Sequence, residues 1–311
     1  MAIRDVAKVV GTMVAYLPGV ENGILHYRNL ENQKKVALPK AKGNCDAITV
    51  LNHNSIDDIL WWEGNVKSQF SNLIRQPPSM YLNTDSSLRM WGATTGSTST
   101  GGNWNSLEAL EHINVLEMKA FLFGLQALCS FIQNSHIRIR TDSSTSVCYV
   151  NARGGCKSWK MNALAKEMWT RALDNNSLLS AEHIKGKDNI EADSLSRNQD
   201  NSSEWSLDSE VFINIISFFK FFPTIDLFAS RINNKLERFV SWQPDPSAVF
   251  TDAFVKSFNG EYFYASLPIS LVTRFLKEVE FEELEGIIIV TCWSTQSFFS
   301  IFLKLIIIFL C

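Results

Sequence analysis

The sequence predicts an α/β protein built on a mixed five-stranded sheet with flanking helices. Two observations support this fold class. Three short strand patterns follow one another directly, separated by Gly, Ser and Thr, and strand and helix patterns then alternate. Three consecutive strands pair in an antiparallel meander, and the alternating strands and helices that follow add parallel strands. Together they imply one mixed sheet with helices packed on its faces. A helical N-terminal segment and a smaller α/β C-terminal domain complete the prediction.

Composition excludes several classes of protein. The 311 residues are 46% hydrophobic and 20% charged, which excludes a disordered chain, a collagen-like repeat and a coiled-coil rod. A net charge of −3 leaves no polybasic arm, so any nucleic-acid contact must come from local clusters. The six cysteines form no C-x-x-C pair, and the N-terminus is a poor signal peptide. We therefore expect an intracellular protein, cytoplasmic or nuclear.

The first segment, residues 1–75, is predicted to be mostly helical. Asp57 and Asp58 precede the run ILWW and predict the start of one more helix. The pair Pro77-Pro78 then ends the segment.

The elements that follow are predicted in chain order. The first three strands are MYLNTDSS, RMWGATTGS and TGGNWNS, and a helix over NVLEMKAFLFGLQALCSFI comes next. A fourth strand, HIRIRTDSS, leads into the helix TSVCYVNAR and a second amphipathic helix over 158–173. The fifth strand is LLSAEHIKG, the last helix is NIEADSLSR, and 198–204 is predicted to be a linker.

Four acids occupy distinctive places in this order. Two of them close alternating apolar strands and two lie on helices: Asp85, Asp142, Glu117 and Asp193. Each alone is more often a turn, cap or solvated residue. If the two strands are neighbours, however, like charges meet at one sheet edge, which is costly unless a cation neutralises them. Oxygen ligands of this kind suit Mg²⁺ or Mn²⁺.

The ordered motifs TDSSLRMWGA, HINVLEMKA, RIRTDSSTSVCYVNARGG and AEHIKGKDNIEADSLSR resemble the ribonuclease H segment of a DIRS-type retrotransposon polyprotein. The resemblance covers residues 79–198. It implies that Asp85, Glu117, Asp142 and Asp193 hold two Mg²⁺ (or Mn²⁺) ions. It also implies an RNA–DNA hybrid as substrate, with the RNA strand hydrolysed. One departure from many relatives is a serine, in place of asparagine, directly after Asp142.

His183 lies ten residues before Asp193, the spacing at which cellular ribonucleases H carry a catalytic histidine. That resemblance implies a role in proton transfer or product release, whereas a solvent-facing histidine at a strand end is an equal alternative.

Basic and aromatic residues near these motifs are candidates for binding nucleic acid. They are Arg153, Lys157, Trp159, Lys160, Lys185 and Lys187. Lysine and arginine neutralise phosphates and tryptophan stacks on a sugar or base. A solvated basic face explains the same pattern equally well.

The flanking segments carry weaker resemblances. Residues 1–78 resemble the thumb or connection that joins a reverse transcriptase to its ribonuclease H. No polymerase motif Y-x-D-D occurs, so the rest of a retrotransposon polyprotein is an expected partner.

Residues 205–300 resemble the methyltransferase-like part of such elements. The catalytic D/N-P-P-Y is replaced by Ala265-Ser266-Leu267-Pro268, so we expect no S-adenosylmethionine binding there. Asp226 is the one plausible cofactor-contacting acid, and a capping role is favoured for it.

The C-terminus is almost wholly apolar from residue 287 onward. Polar residues and Lys304 interrupt it before ~20 apolar residues accumulate. A buried strand followed by an unpatterned tail, residues 301–311, is therefore favoured over a membrane anchor.

Taken together, the sequence predicts a metal-dependent hybrid ribonuclease. The alternative is an inactive nucleic-acid-binding or structural fragment of a degraded polyprotein.

Overall fold

The computed structural model describes residues 1–71, 76–96, 98–155, 157–197 and 205–305. It confirms the predicted fold class: a helical N-terminal segment precedes a mixed five-stranded sheet, and a smaller α/β segment follows. The predicted linker 198–204 and the last part of the predicted tail, 306–311, lie outside the described residues.

The central sheet has the strand order β3-β2-β1-β4-β5. Its strands are β1 (Met80–Ser86), β2 (Met90–Thr95), β3 (Thr98–Asn103), β4 (His136–Thr141) and β5 (Leu178–His183). The first three form an antiparallel meander, whereas β1, β4 and β5 are parallel. The carboxyl ends of three parallel strands therefore meet at one edge of the sheet, which we call the carboxyl edge.

Helices cover both faces of this sheet. They are α4 (Ile113–Leu128), α5 (Ser144–Asn151), α6 (Trp159–Asp174) and α7 (Ile190–Arg197). A Cβ placed on Gly92 would meet α7, and Gly124 of α4 lies against Ala93. Because neighbouring strand residues point to opposite faces, α4 and α7 lie on opposite sides of β2. The apolar core between sheet and α4 includes Leu82, Phe121 and Ile139, all fully buried.

The N-terminal segment forms α1 (Ile3–Tyr16), α2 (Arg28–Lys40) and α3 (His53–Asn65) around a core of its own. The prediction that α3 starts at Asp57–Asp58 is wrong, because Asn52 caps the helix by accepting the backbone N–H of Ser55. Asp58 is instead buried and accepts the backbone N–H groups of Asn29 and Leu30.

The C-terminal segment contains a three-stranded parallel sheet of order β10-β9-β6 and a separate pair, β7–β8. Its elements are α8 (Ser209–Phe219), β6 (Ile225–Asp226), β7 (Val240–Ser241), β8 (Phe250–Thr251), β9 (Phe263–Ser266), α9 (Ile269–Glu282), β10 (Gly286–Ile289) and α10 (Phe299–Leu305).

This segment contacts the outer edge of β3. Arg231 forms an ion pair of 2.9 Å with Glu108 and donates to the carbonyl of Asn103 at 2.6 Å. Gln243 donates to the carbonyl of Gly101 at 2.8 Å. Two carbonyls of β3, those of Gly101 and Asn103, thus accept hydrogen bonds from the C-terminal segment.

The predicted C-terminal strand and tail need two corrections. β10 is half-buried rather than fully buried. The residues at 299–305 form α10 instead of an unpatterned tail, because Phe298 and Phe302 lie one helical turn apart and bury against the core that includes α9. No helix in the described part of the chain is long and apolar enough to cross a membrane.

Candidate metal centre

Three of the four predicted acids converge at the carboxyl edge. One carboxylate oxygen from each of Asp85, Glu117 and Asp142 lies within 4.8 Å of the other two. Asp85 and Glu117 are buried, whereas Asp142 is exposed. The cluster therefore opens to solvent on the side of Asp142.

Strand register explains why the two aspartates meet. Asn83 of β1 is opposite Arg140 of β4, and each aspartate lies two residues further along its own chain. Because the strands are parallel, Asp85 and Asp142 arrive at the same edge. Glu117 joins them from the second turn of α4, which packs on β1 and β2. Strand pairing and helix packing thus bring together groups that are far apart in sequence.

The fourth predicted acid, Asp193, is not part of this cluster of described residues. Its carboxylate accepts the Nε–H of Arg197, one turn further along α7, at 2.7 Å. It is near enough that its charge raises the pKa of Asp85. Its role as a metal ligand stays a prediction.

The electrostatics of the cluster oppose full ionisation. Burial, together with the charges of Asp85 and Asp142, raises the pKa of Glu117 to about 8. Burial also raises the pKa of Asp85, against a hydrogen bond from the hydroxyl of Ser196. The charge of Asp142 penalises ionisation of both buried carboxyl groups, as expected for like charges in a poorly solvated site.

The residues present fit a divalent cation. Oε2 of Glu117 is buried and has no hydrogen-bond partner among the described residues. An unpartnered buried carboxylate oxygen beside two further carboxylates is the donor set that Mg²⁺ or Mn²⁺ prefers. A bound cation would satisfy this oxygen and neutralise the repulsion.

The predicted histidine lies at the same edge. His183 ends β5 opposite Thr141, the residue before Asp142, and its side chain is exposed. The turn after it approaches the cluster closely: a Cβ on Gly186 would lie 3.2 Å from Oδ2 of Asp142. The histidine therefore lies at the same edge of the sheet as the cluster.

Three residues that hold the site were not identified from the sequence. Ser196 donates to Oδ2 of Asp85, and Asn189 donates to the carbonyl of Thr84 at 2.9 Å. Gly92 lets α7 approach β2, since a Cβ there would lie 2.6 Å from the carbonyl oxygen of Ala192. A glycine inside a strand signals such a close approach. Ser196 could have been found because it lies one turn after Asp193 on the same helix.

The predicted nucleic-acid ligands have different surroundings. Lys157, Lys185, Lys187 and Trp159 are exposed, and Trp159 is 70% accessible. Lys160 is half-buried, and its Nζ lies 2.7 Å from both carboxylate oxygens of Glu111.

The structure corrects the prediction for Arg153. This residue is only 5% exposed, and its guanidinium lies over the ring of Trp169 and forms an ion pair of 3.1 Å with Glu21. The side chain links the N-terminal segment, through Glu21, to α6, through Trp169. It is therefore not a surface phosphate ligand.

Two solved structures are similar to part of this chain. One is ribonuclease H1 from the halophilic archaeon Halobacterium salinarum NRC-1, at 16% identity and a TM-score of 0.33, covering 37% of this chain and 92% of that one. The other is LC11-RNase H1 in complex with an RNA/DNA hybrid, at 16% identity and a TM-score of 0.31, covering 37% of this chain and 91% of that one. No protein-family model and no curated protein sequence matches this chain.

Proposed function

We propose that this chain is a retroelement-derived ribonuclease H that hydrolyses the RNA strand of RNA–DNA hybrids with two bound Mg²⁺ or Mn²⁺ ions. The observation that carries the proposal is the convergence of Asp85, Glu117 and Asp142 within 4.8 Å, with one buried oxygen of Glu117 lacking a partner. Divalent ions in such a site lower the pKa of water and stabilise the charge that develops at phosphorus.

The residues of the chain have separable roles in this proposal. Asp85, Glu117 and Asp142 hold the ions, and Asp193 completes the set when its side chain turns from Arg197 towards Asp85. His183, exposed beside Asp142, transfers a proton or aids product release. Lys157, Lys185 and Lys187 neutralise phosphates, and Trp159 stacks on the nucleic acid.

A second candidate function is that of an inactive module which binds nucleic acid or supports a polymerase from the same polyprotein. The observation that favours it is the ion pair between Asp193 and Arg197, which leaves three acids in the cluster of described residues. The two functions differ in whether an ion at the cluster supports turnover.

The deciding experiment incubates the full chain with a hybrid labelled on its RNA strand, in Mg²⁺ or in EDTA. We expect cleavage of the RNA strand only in Mg²⁺, and none of the DNA strand or of double-stranded DNA. Glu280→Gln, which removes an exposed carboxylate on α9, serves as the matched control and should cleave normally. Cleavage in EDTA at the same rate would contradict the proposal, and hybrid binding without cleavage in Mg²⁺ would support the inactive module.

A further inference from the structure

A large groove separates the N-terminal segment from the outer face of α6. It has a volume of about 1130 Å³ and is lined by α2, by residues 49–57 and by α6, and we call it the α2–α6 groove. Lys166 of α6 reaches across to Asp58 of α3 at 3.6 Å, so the two walls are held together. The carboxylate cluster does not line this groove.

The lining of the α2–α6 groove is polar and rich in hydrogen-bond donors. Side-chain amides are its commonest groups, among them Asn32, Gln33, Asn54 and Asn162. Four Lys or Arg side chains and three acids also line it, which gives a net charge of about +1. Amides and cations bind sugar and phosphate groups, whereas an apolar ligand would find few contacts here.

Arg171 supplies an anion-binding group at one end of the groove. Its Nε is buried and has no hydrogen-bond partner among the described residues. Among the residues that the structure describes, Arg171 forms no ion pair with Glu167 or Asp174, the acids one helical turn away. Arg171 lines the groove, and a phosphate oxygen is an acceptor that matches its guanidinium in charge and geometry.

Trp159 supplies an aromatic surface at the other end of the groove. The chain leaves α6 at Asp174 and enters β5 at Leu178, so the end of α6 lies at the amino edge of the sheet and its start lies at the carboxyl edge. Lys160 confirms this placement by contacting Glu111, just before α4. Trp159 is therefore at the same edge as the carboxylate cluster, and Arg171 is ~18 Å away along the helix.

We propose that the α2–α6 groove binds a single-stranded extension of the nucleic acid whose duplex part occupies the carboxylate cluster. An unpaired base stacks on Trp159, and the backbone then follows α6 to Arg171 over roughly five nucleotides. A single strand fits better than a duplex because its unpaired bases are free to stack on an exposed tryptophan. The inference rests on the proposed function, since it extends the substrate of that site.

The test measures binding of fluorescent hybrids to the full chain in EDTA, so that no cleavage occurs. One hybrid is blunt, and others carry a single-stranded DNA extension at either end. We expect one extension to tighten binding by roughly tenfold, as stacking on aromatic side chains does. Arg171→Glu and Trp159→Ala should each remove most of this gain, and Arg171→Glu should lower the salt dependence by about one ion.

Two controls keep the outcomes distinct. Lys277→Glu makes the same charge change on the exposed face of α9 and should retain the gain from the extension. Trp159 is largely exposed, so its replacement tests the groove even if Arg171→Glu fails to fold. The proposal is overturned if no extension tightens binding, or if the tighter binding survives both groove variants. Failure of the proposed function would appear separately, as absence of cleavage of the blunt hybrid in Mg²⁺.

Discussion

Asp85 and Asp226 each end a buried strand that has a parallel neighbour, but they have opposite partners. Asp85 faces the carboxylates of Glu117 and Asp142. Asp226 accepts the backbone N–H of Lys235 at 2.9 Å and that of Phe228. Burial raises the pKa of both. An aspartate at a strand end is thus a metal-ligand candidate when other acids converge on it, whereas Asp226 has backbone N–H donors as its partners.

The largest expected effect contrasts Asp142→Asn with Asp226→Asn. The first removes a charge from the cluster and should abolish hybrid cleavage, while the stability of the metal-free protein holds or rises because repulsion is relieved. The second should leave cleavage intact, since Asp226 does not belong to the carboxylate cluster. Cleavage assays and urea unfolding measure both. Normal cleavage by Asp142→Asn would show that the activity does not use this site.

Gly92→Ala should have the next largest effect, because it acts on the helix that carries Asp193 and Ser196. The new methyl group would lie 2.6 Å from the Ala192 carbonyl and from Cβ of Leu195, so α7 must shift. We expect a loss in cleavage rate of up to ~10²-fold, as for a displacement of about 1 Å in an active site. Gly11→Ala, where the methyl meets nothing within 4 Å, is the control and should keep full activity. Equal cleavage rates for Gly92→Ala and Gly11→Ala would show that the position of α7 does not affect cleavage.

The two sites should also differ in their pH dependence. The pKa of Glu117 rises from 4.5 to about 8 on folding and that of Asp226 from 3.8 to about 6. A carboxyl group whose pKa is raised by folding stabilises the folded state only while protonated, so stability falls as pH rises through these values. Between about pH 6 and 8 the loss should come from Glu117 rather than from Asp226. Thermal unfolding of the metal-free protein should show this loss of stability between about pH 6 and 8, and Glu117→Gln should remove the loss.

Added Mg²⁺ provides a further check on this interpretation. It should restore stability above pH 7, where Glu117 must be ionised to bind the ion, and have little effect near pH 5. The pH-dependent loss of stability that comes from Asp226 should be the same with and without Mg²⁺. A stability profile that is the same with and without the ion would argue against a cation at the cluster.

The smallest expected effect is that of His183→Ala. The histidine lies at the same edge of the sheet as the cluster but holds none of its three acids, so turnover should fall by ~10²-fold or less. His53→Ala, which changes an exposed histidine on α3, is the matched control. A loss as complete as that of Asp142→Asn would mean that His183 is needed to assemble the site.

The sheet and the positions of its acids could be predicted because they depend on local patterns. Alternating strands place Asp85 and Asp142 at their carboxyl ends, and the helical spacing around Glu117 places that acid on α4. Contacts between segments that are distant in sequence produce no such local pattern. Arg153 looks like a surface cation in sequence, since nothing near it shows that Glu21 will cover it. Asp58 looks like a helix cap, although its partners Asn29 and Leu30 lie on another helix.

The contacts of Arg231 and Gln243 with β3 have a consequence for handling the protein in pieces. A fragment that stops before residue 205 would leave the carbonyls of Gly101 and Asn103 at an open sheet edge and Glu108 without its arginine. Such an edge pairs readily with the same edge of another molecule. The isolated fragment should therefore self-associate, and the C-terminal segment protects this edge of the sheet from aggregation.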